Sequence, residues 1–407
     1  MLTGLSWQET QSRLLAWARP LGADTARLHH ALSHCAAVDV PVQSPYPAHS
    51  LAQERGYALN YDALKAYWDR DEIPLFRFGG NLGGRRTFER QVSSDQAMLV
   101  DAGTFLPDAY DLVVPEDGVE RKDNEVAVRA RPERYSGVIR QGQFVPDQRV
   151  LLPKGQRITH AGHAALYSQP VEELNVLRKP IIGSLVLGSG LHDPHTVRAP
   201  KESTPELLSP MMTGICARWQ FPFISLGVQE SHRSVGEAVD LASEQAEILV
   251  VSGILSSSQW QGFTRMLGET WDLRIEGLSH PPCERFCVAE RDGGWLFFLP
   301  YHPPMIQALL MLLVYPLVTR VVGDERGCVP FVSARSLEAV EVKAPQDDIW
   351  VAREKLTCEF MNVAEVSLIC QISRATLASL VEGTCFAIPR APGDRIEAHS
   401  DLAIVRY

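Results

Sequence analysis

Residues 294–318 read GWLFFLPYHPPMIQALLMLLVYPLV, and the order of apolar and proline residues in that stretch fixes the class of fold. Leu296–Leu299 is apolar at every position, so a strand there has no solvent face and must be covered on both sides. Pro300, Pro303 and Pro304 punctuate the chain, because proline ends a strand and is tolerated at the start of a helix. The apolar run from Met305 to Val322 follows at once, interrupted by Gln307, Pro316 and Arg320. Those three polar or breaking residues favour a helix buried in an α/β core over a membrane span.

The same texture extends on the N-terminal side. Ile181–Leu187, Phe223–Leu226 and Ile248–Val251 are continuous apolar runs, and Val235, Ala238, Val239 and Ala242 mark a helix between two of them. Alternating strands and helices predict a parallel sheet over 181–326, with ligands at the carboxyl ends of its strands. Residues 327–407 return to β-like runs at Ala339–Val342, Cys358–Phe360, Ser367–Ile372, Cys385–Ile388 and Leu402–Val405, which predict a small C-terminal β barrel. Shorter runs at Ala97–Val100, Asp111–Val114 and Glu125–Val128 predict a small β-rich domain over 48–139. Residues 1–47 and 140–180 are left as a linking helical and β domain. Within it, 5–36 carries helical spacing broken at Pro20-Leu-Gly, 38–50 is Pro-rich and extended, and Ala161–Tyr167 is a short helix. The fold class is therefore α/β plus β, in an elongated four-domain arrangement.

Composition narrows the function. The chain has 407 residues, 45% apolar and 22% charged, with a formal charge of −10 and no basic run. Nucleic-acid binding needs clustered Lys and Arg, so no nucleic-acid partner is expected, and no membrane partner either. Eight scattered cysteines suit reduced thiols better than a disulfide framework. The start MLTGLSWQETQSRLLAW reads as an amphipathic helix without a secretory apolar segment, which points to a cytoplasmic protein.

Across nearly its whole length the chain resembles the molybdopterin molybdotransferases, the MoeA and gephyrin E-domain family. LPYHPP (299–304) resembles the family's Leu-Pro-Gly-Asn-Pro turn, with Tyr301 and His302 in place of Gly-Asn. SLAQERGYAL (50–59) resembles Ser-Ala-Met-Asp-Gly-Tyr-Ala-Val, and MLVDAGTFLPDAYDLVV (98–114) keeps Gly103, Pro107 and Asp111 of a second motif, with Ala102 where that motif has Thr. IRQGQFVPDQRVLLPKGQRI (139–158) keeps Arg140, Gly142 and Gly155, but the acidic pair has become Gln143 and Phe144. VLGSGLHD (186–193) resembles Ser-Thr-Gly-Asp-Glu-Leu with Leu191 and His192 at the carboxylate positions, and the later Asp-x-Asn helix start falls near Leu208, Ser209 and Pro210. VVSGILSSSQWQGF (250–263) keeps Ser252, Gly253 and Ser256, with Gln261 replacing an Asp. SHPPCERF (279–286) keeps Pro281 of Lys-Pro-Gly-Lys-Pro, with His280 and Cys283 where the lysines stand. ATLASLVEGTCFAIP (375–389) resembles the family's C-terminal ending.

The resemblance implies a homodimer and a cofactor that is molybdopterin or a related pterin. The family binds an adenylylated pterin, releases AMP and inserts molybdate. A hard divalent ion needs carboxylate oxygens and bound anions need Lys or Arg, and those positions are replaced here. Loss of one group that contacts the transition state costs about 2 to 4 kcal/mol, so ordinary metal insertion is not expected and no residue is assigned a catalytic role. The expected reading is a degenerate or repurposed homologue. Its pterin or phosphate contacts would come from Gly188, Ser189, Gly190, Ser252, Gly253, Ser256, Ser257, Ser258, Pro300 and His302, with the serines standing where a helix begins. An alternative moves the lost groups to Asp193, Lys201, Glu202, Glu206, Glu284 and Arg285. Another replaces magnesium by a transition metal on His192, His195, His280, Cys283 and His302, since imidazole and thiolate suit borderline ions. A third is a non-catalytic scaffold or chaperone for a protein partner in cofactor delivery. His30 and His34, four residues apart, are read as surface histidines on a helix.

Overall fold

The computed structural model describes residues 1–83, 92–147, 150–188, 190–196, 198, 201–229, 235–324, 331–342, 348–355, 363–390 and 393–407. The α/β layer is built from β1 (Leu2–Leu5), α1 (Trp7–Trp17), β2 (Ile182–Leu187), α2 (Leu208–Trp219), β3 (Phe223–Gln229), α3 (Val235–Gln245), β4 (Ile248–Gly253), α4 (Ser257–Thr270), β5 (Asp272–Leu278), β6 (Cys287–Arg291), β7 (Gly294–Pro300) and a helix α5 (Pro303–Val321). The seven strands hydrogen-bond in the order β1-β5-β6-β7-β4-β2-β3. The four apolar runs read from the sequence are neighbours, and β3, β2, β4 and β7 all run parallel. β6 is antiparallel to both β5 and β7.

Every residue of β2 and β4 is buried, as continuous apolar strands require. Side chains alternate across β7. Phe297 joins a core with Met212, Leu309 and Leu317, whereas Phe298 packs on the opposite face with Val239, Phe263 and Leu267. Burial of one such ring is worth about 1.5–3 kcal/mol. α5 is the one helix among the described residues long and apolar enough to cross a membrane, and 83% of its most apolar window is buried inside the protein. It widens into a π turn at Leu310–Val314, two residues before Pro316 in the first turn of the next α-helical stretch. Its core continues into Val351, Phe386 and Val405 of the C-terminal barrel.

That barrel is closed by Val332–Ser336, Ala364–Gln371, Trp350–Glu354, Cys385–Pro389 and Asp401–Arg406 in hydrogen-bonded order. Cys358–Phe360, expected as a strand, lies outside the described residues. The β-rich domain is a six-stranded sheet that includes Gln96–Val100, Leu112–Pro115 and Glu125–Val128. The short helix near 161 spans His160–Tyr167, capped by the Thr159 hydroxyl.

The N-terminal third differs from expectation. Leu2–Leu5 is a strand, not the start of a helix, and pairs in parallel with β5 (Leu2↔Ile275, Leu5↔Leu278). With α1, whose Trp7 and Leu14 enter the α5 core, it belongs to the α/β layer rather than to the linking segment assigned to 1–47. The second helix expected before residue 36 is instead a strand, Ala23–Arg27, paired with Glu173–Leu177. A single 3-10 turn, Leu28–His30, follows, so His30 and His34 do not share a helical face.

Candidate functional site

The carboxyl ends of three parallel strands meet in register, Leu187 opposite Gly253 and Gly253 opposite Pro300. The approach is too close for side chains. A Cβ on Gly253 would lie 1.9 Å from the Leu187 carbonyl oxygen, and one on Gly188, whose φ is +132°, would lie 2.7 Å from that of Ile254. Glycine is the residue that accepts both demands. A cleft of about 280 Å³ opens at this edge, lined by Gly253, Ile254, Leu255, Pro282, Glu284, Arg285, Phe298, Pro300 and Tyr301.

The polar residues expected here turn to local duties. Ser256 is the N-cap of α4, where its hydroxyl accepts the Gln259 N–H at 3.3 Å and the Gln259 side chain answers from the Ser256 N–H. Ser258 lies 3.1 Å from the Ser256 hydroxyl. The buried Ser252 hydroxyl donates to the Leu299 carbonyl at 2.9 Å, tying β4 to β7. His302 is the N-cap of α5, with Nδ1 accepting the Met305 N–H at 3.3 Å. Gly190 has a φ of +84° and its carbonyl accepts the Thr204 N–H. Ser189 lies outside the described residues.

The histidines and cysteine named as metal ligands are held apart. His192 Nδ1 meets the Ser203 hydroxyl at 2.8 Å, and the His195 N–H donates to Asp193 at 2.7 Å on an exposed turn. Cys283 is fully buried in the core. His280, 3% exposed, faces away from the cleft, with Nδ1 2.9 Å from the Pro281 carbonyl and Nε2 3.4 Å from Asp348 of the C-terminal region. Among the described residues no three His, Cys, Asp or Glu side chains gather as a metal would need. The structure does not bring this set together: His192 turns to Ser203, His280 to Pro281 and Asp348, and His302 caps α5.

Of the groups considered as relocated, two reach the cleft. Glu284 lines it, and the Arg285 guanidinium donates to the Leu255 carbonyl and to the Ser257 hydroxyl, the latter at 3.2 Å. Lys201 and Glu202 are exposed elsewhere. Glu206 is 2% exposed, and its carboxylate accepts the Ser209 N–H at 3.0 Å at the start of α2. Behind it the Ser209 hydroxyl bonds Ser184 at 3.0 Å and Ser225 at 2.9 Å. Burial and then the Glu206 carboxylate push the half-buried Tyr301 hydroxyl above its ordinary value, while the Leu207 N–H works the other way. Tyr301 as a wall of the cleft had no signal in the sequence beyond its place in the turn. The burial of Glu206 was equally invisible, since it depends on α2 covering β2 and β3.

A doubly covered parallel sheet with a strand-end cleft, a β-rich insertion and a closed C-terminal barrel defines a multidomain α/β plus β architecture. Residues 5–169 match the family described as MoeA N-terminal region (domain I and II). A molybdopterin molybdenumtransferase of Staphylococcus epidermidis is 20% identical over 365 residues, 89% of this chain and 86% of that protein. Molybdopterin molybdenumtransferase 1 of Mycobacterium tuberculosis is 23% identical over 419 residues, 96% of each. The crystal structure of a molybdopterin biosynthesis MoeA protein from Pyrococcus horikoshii covers 99% of this chain at a TM-score of 0.78 and 18% identity, a likeness of fold. Residues 5–169 thus carry a MoeA N-terminal region, and the chain as a whole is similar to molybdopterin molybdenumtransferases and shares the fold of a MoeA protein.

Proposed function

We propose that this chain acts in molybdenum cofactor biosynthesis as a repurposed MoeA-like protein, holding molybdopterin or a related pterin without inserting metal by the family's route. The observation that carries the reading is the cleft at the ends of β4 and β7. Its backbone frame of Gly253 and Pro300 is that of a ligand edge, while among the described residues its ionisable lining is Glu284, Arg285 and Tyr301. A hard divalent ion takes several oxygen ligands, and one lining carboxylate does not supply them. Arg285 remains as counter-charge for a phosphate. The likeness to relatives named as molybdopterin molybdenumtransferases supports the pterin.

Calorimetric titration with molybdopterin and its adenylylated form tests binding, and restoration of nitrate reductase activity in a strain lacking the authentic enzyme tests metal insertion. Heat of binding without restoration is the expected result. Restoration would show that catalysis persists, and no heat with either pterin would remove the pterin reading. A cytoplasmic homodimer belongs to the same proposal. The exposed Tyr46 and Phe144 rings, 6.2 Å apart, offer an apolar surface for a second copy or a protein partner. Sedimentation of the purified chain as a monomer would count against the dimer.

A further inference from the structure

The cleft lies at the carboxyl ends of the parallel strands. At the opposite edge, where β2 and β3 begin in register at Ile182 and Phe223, Lys179 stands just before β2 and Gln220 just after α2. Ser33, from the segment that follows the Leu28–His30 turn, reaches the same place. The Lys179 amine lies 2.6 Å from the Ser33 hydroxyl and 3.0 Å from the Gln220 carbonyl. We propose that Ser33 and Lys179 are a nucleophile and base that cleave small carboxylic esters through an acyl-serine.

The geometry supplies the three parts such a pair needs: a hydroxyl, a base within hydrogen-bond reach, and a group that orients the base. Ser33 sits at a φ of +65°, and its N–H is tied to the Ile158 carbonyl at 2.9 Å. Glycine would adopt that backbone without strain, so what serine adds there is its hydroxyl. The Gln220 carbonyl holds one N–H of the amine and leaves its lone pair, once deprotonated, for the serine proton. Burial first, and then Arg157, bring Lys179 down to about 8, while Cys35 opposes them. His34 is the other titratable group that feels this amine. The Arg157 guanidinium also donates to the Gln220 side chain at 3.4 Å, so positive charge stands near the oxygen that becomes negative.

The step balances within these residues. The Ser33 oxygen bonds the ester carbon as its proton passes to Lys179 Nζ. The ester C–O bond then breaks, and the alcohol leaves with that proton. Water cleaves the acyl-serine by the same route. Ser33 and Lys179 are half-buried, and the exposed Leu32 and the Phe221 ring, 5.7 Å from Nζ, offer apolar contact to a short acyl group. This site lies at the far edge of the sheet from the cleft, so it stands whatever the cleft binds.

Labelling of the full chain with an alkyl fluorophosphonate, which loses fluoride to an activated serine, tests the pair. Peptide mass spectrometry should place the adduct on Ser33, with a rate that rises with pH through about 8. Ser33→Gly, suited to the left-handed backbone, should abolish it. Lys179→Arg keeps the charge and donors but cannot act as a base, and should slow both labelling and p-nitrophenyl butyrate hydrolysis about 100-fold or more. Circular dichroism checks folding, and if a variant unfolds, the wild-type adduct map and pH profile decide. No adduct on Ser33, a rate independent of pH, or equal labelling of folded Lys179→Arg would each overturn the proposal.

Discussion

Asp348 collects donors from two distant parts of the chain: Trp7 Nε1 at 3.2 Å, Gln8 Nε2 at 3.1 Å, and His280 Nε2 at 3.4 Å. Burial works to raise its carboxyl, yet the bonds from His280, Gln8 and Trp7 outweigh it and hold the group below its ordinary value. A carboxyl depressed by folding stabilises the protein above the ordinary carboxylate range, and the contribution fades as pH falls through the lowered value. Asp348→Asn should therefore lower stability near neutral pH by on the order of 1–3 kcal/mol, and by less in acid. Thermal unfolding between neutral and acid pH reads the difference. Lys179 is also lowered, but because folding disfavours its charged form. Burial, reinforced by Arg157, pushes its ammonium down to about 8, while its Nζ donates to the Ser33 hydroxyl at 2.6 Å and the Gln220 carbonyl at 3.0 Å. Between about 8 and the unfolded lysine value near 10.4 the folded chain holds fewer protons, so stability rises with pH there. Lys179→Met should flatten that rise in denaturant titrations. At this scale the sequence displayed chemical types but not directions. His280 reads as a potential ligand and proves to be a contact to the C-terminal region.

At the scale of elements, strand ends and helix starts carry the site. Gly253→Ala would drive a Cβ to 1.9 Å from the Leu187 carbonyl. It should destabilise the chain by about 1–3 kcal/mol or more and separate the ends of β2 and β4, with loss of any ligand at the cleft. Urea unfolding measures the first effect and calorimetric titration the second. In α4 two substitutions should act in opposite directions. Ser256→Ala removes the cap and should cost about 1 kcal/mol, whereas Gly262→Ala should add about 0.5–1 kcal/mol, both read from unfolding midpoints. The strands of the parallel sheet were legible because burial on both faces forces unbroken apolar runs. Leu2–Leu5 was not, because a strand of four residues with an intermediate–exposed–exposed–intermediate burial pattern gains its identity from a partner some 270 positions later in the chain.

For the whole molecule, the N-terminal segment is the clamp. β1 extends the α/β sheet, α1 lies on α5, and Trp7 both enters that core and bonds Asp348. Trp7→Ala should cost about 3–5 kcal/mol and loosen the C-terminal barrel together with the α/β layer, which share one hydrophobic core. A single calorimetric transition that splits in the variant is the expected outcome. What the sequence determined by itself was the set of local states: apolar runs that must be covered strands, prolines that end them, and an apolar helix too interrupted for a membrane. The tertiary structure alone decided where the charges and rings stand. Whether Glu206 is buried, Arg285 reaches the cleft or His280 turns to Asp348 depends on contacts between segments far apart in the chain. Side-chain direction and cavity shape are set by that long-range packing, which local periodicity does not encode.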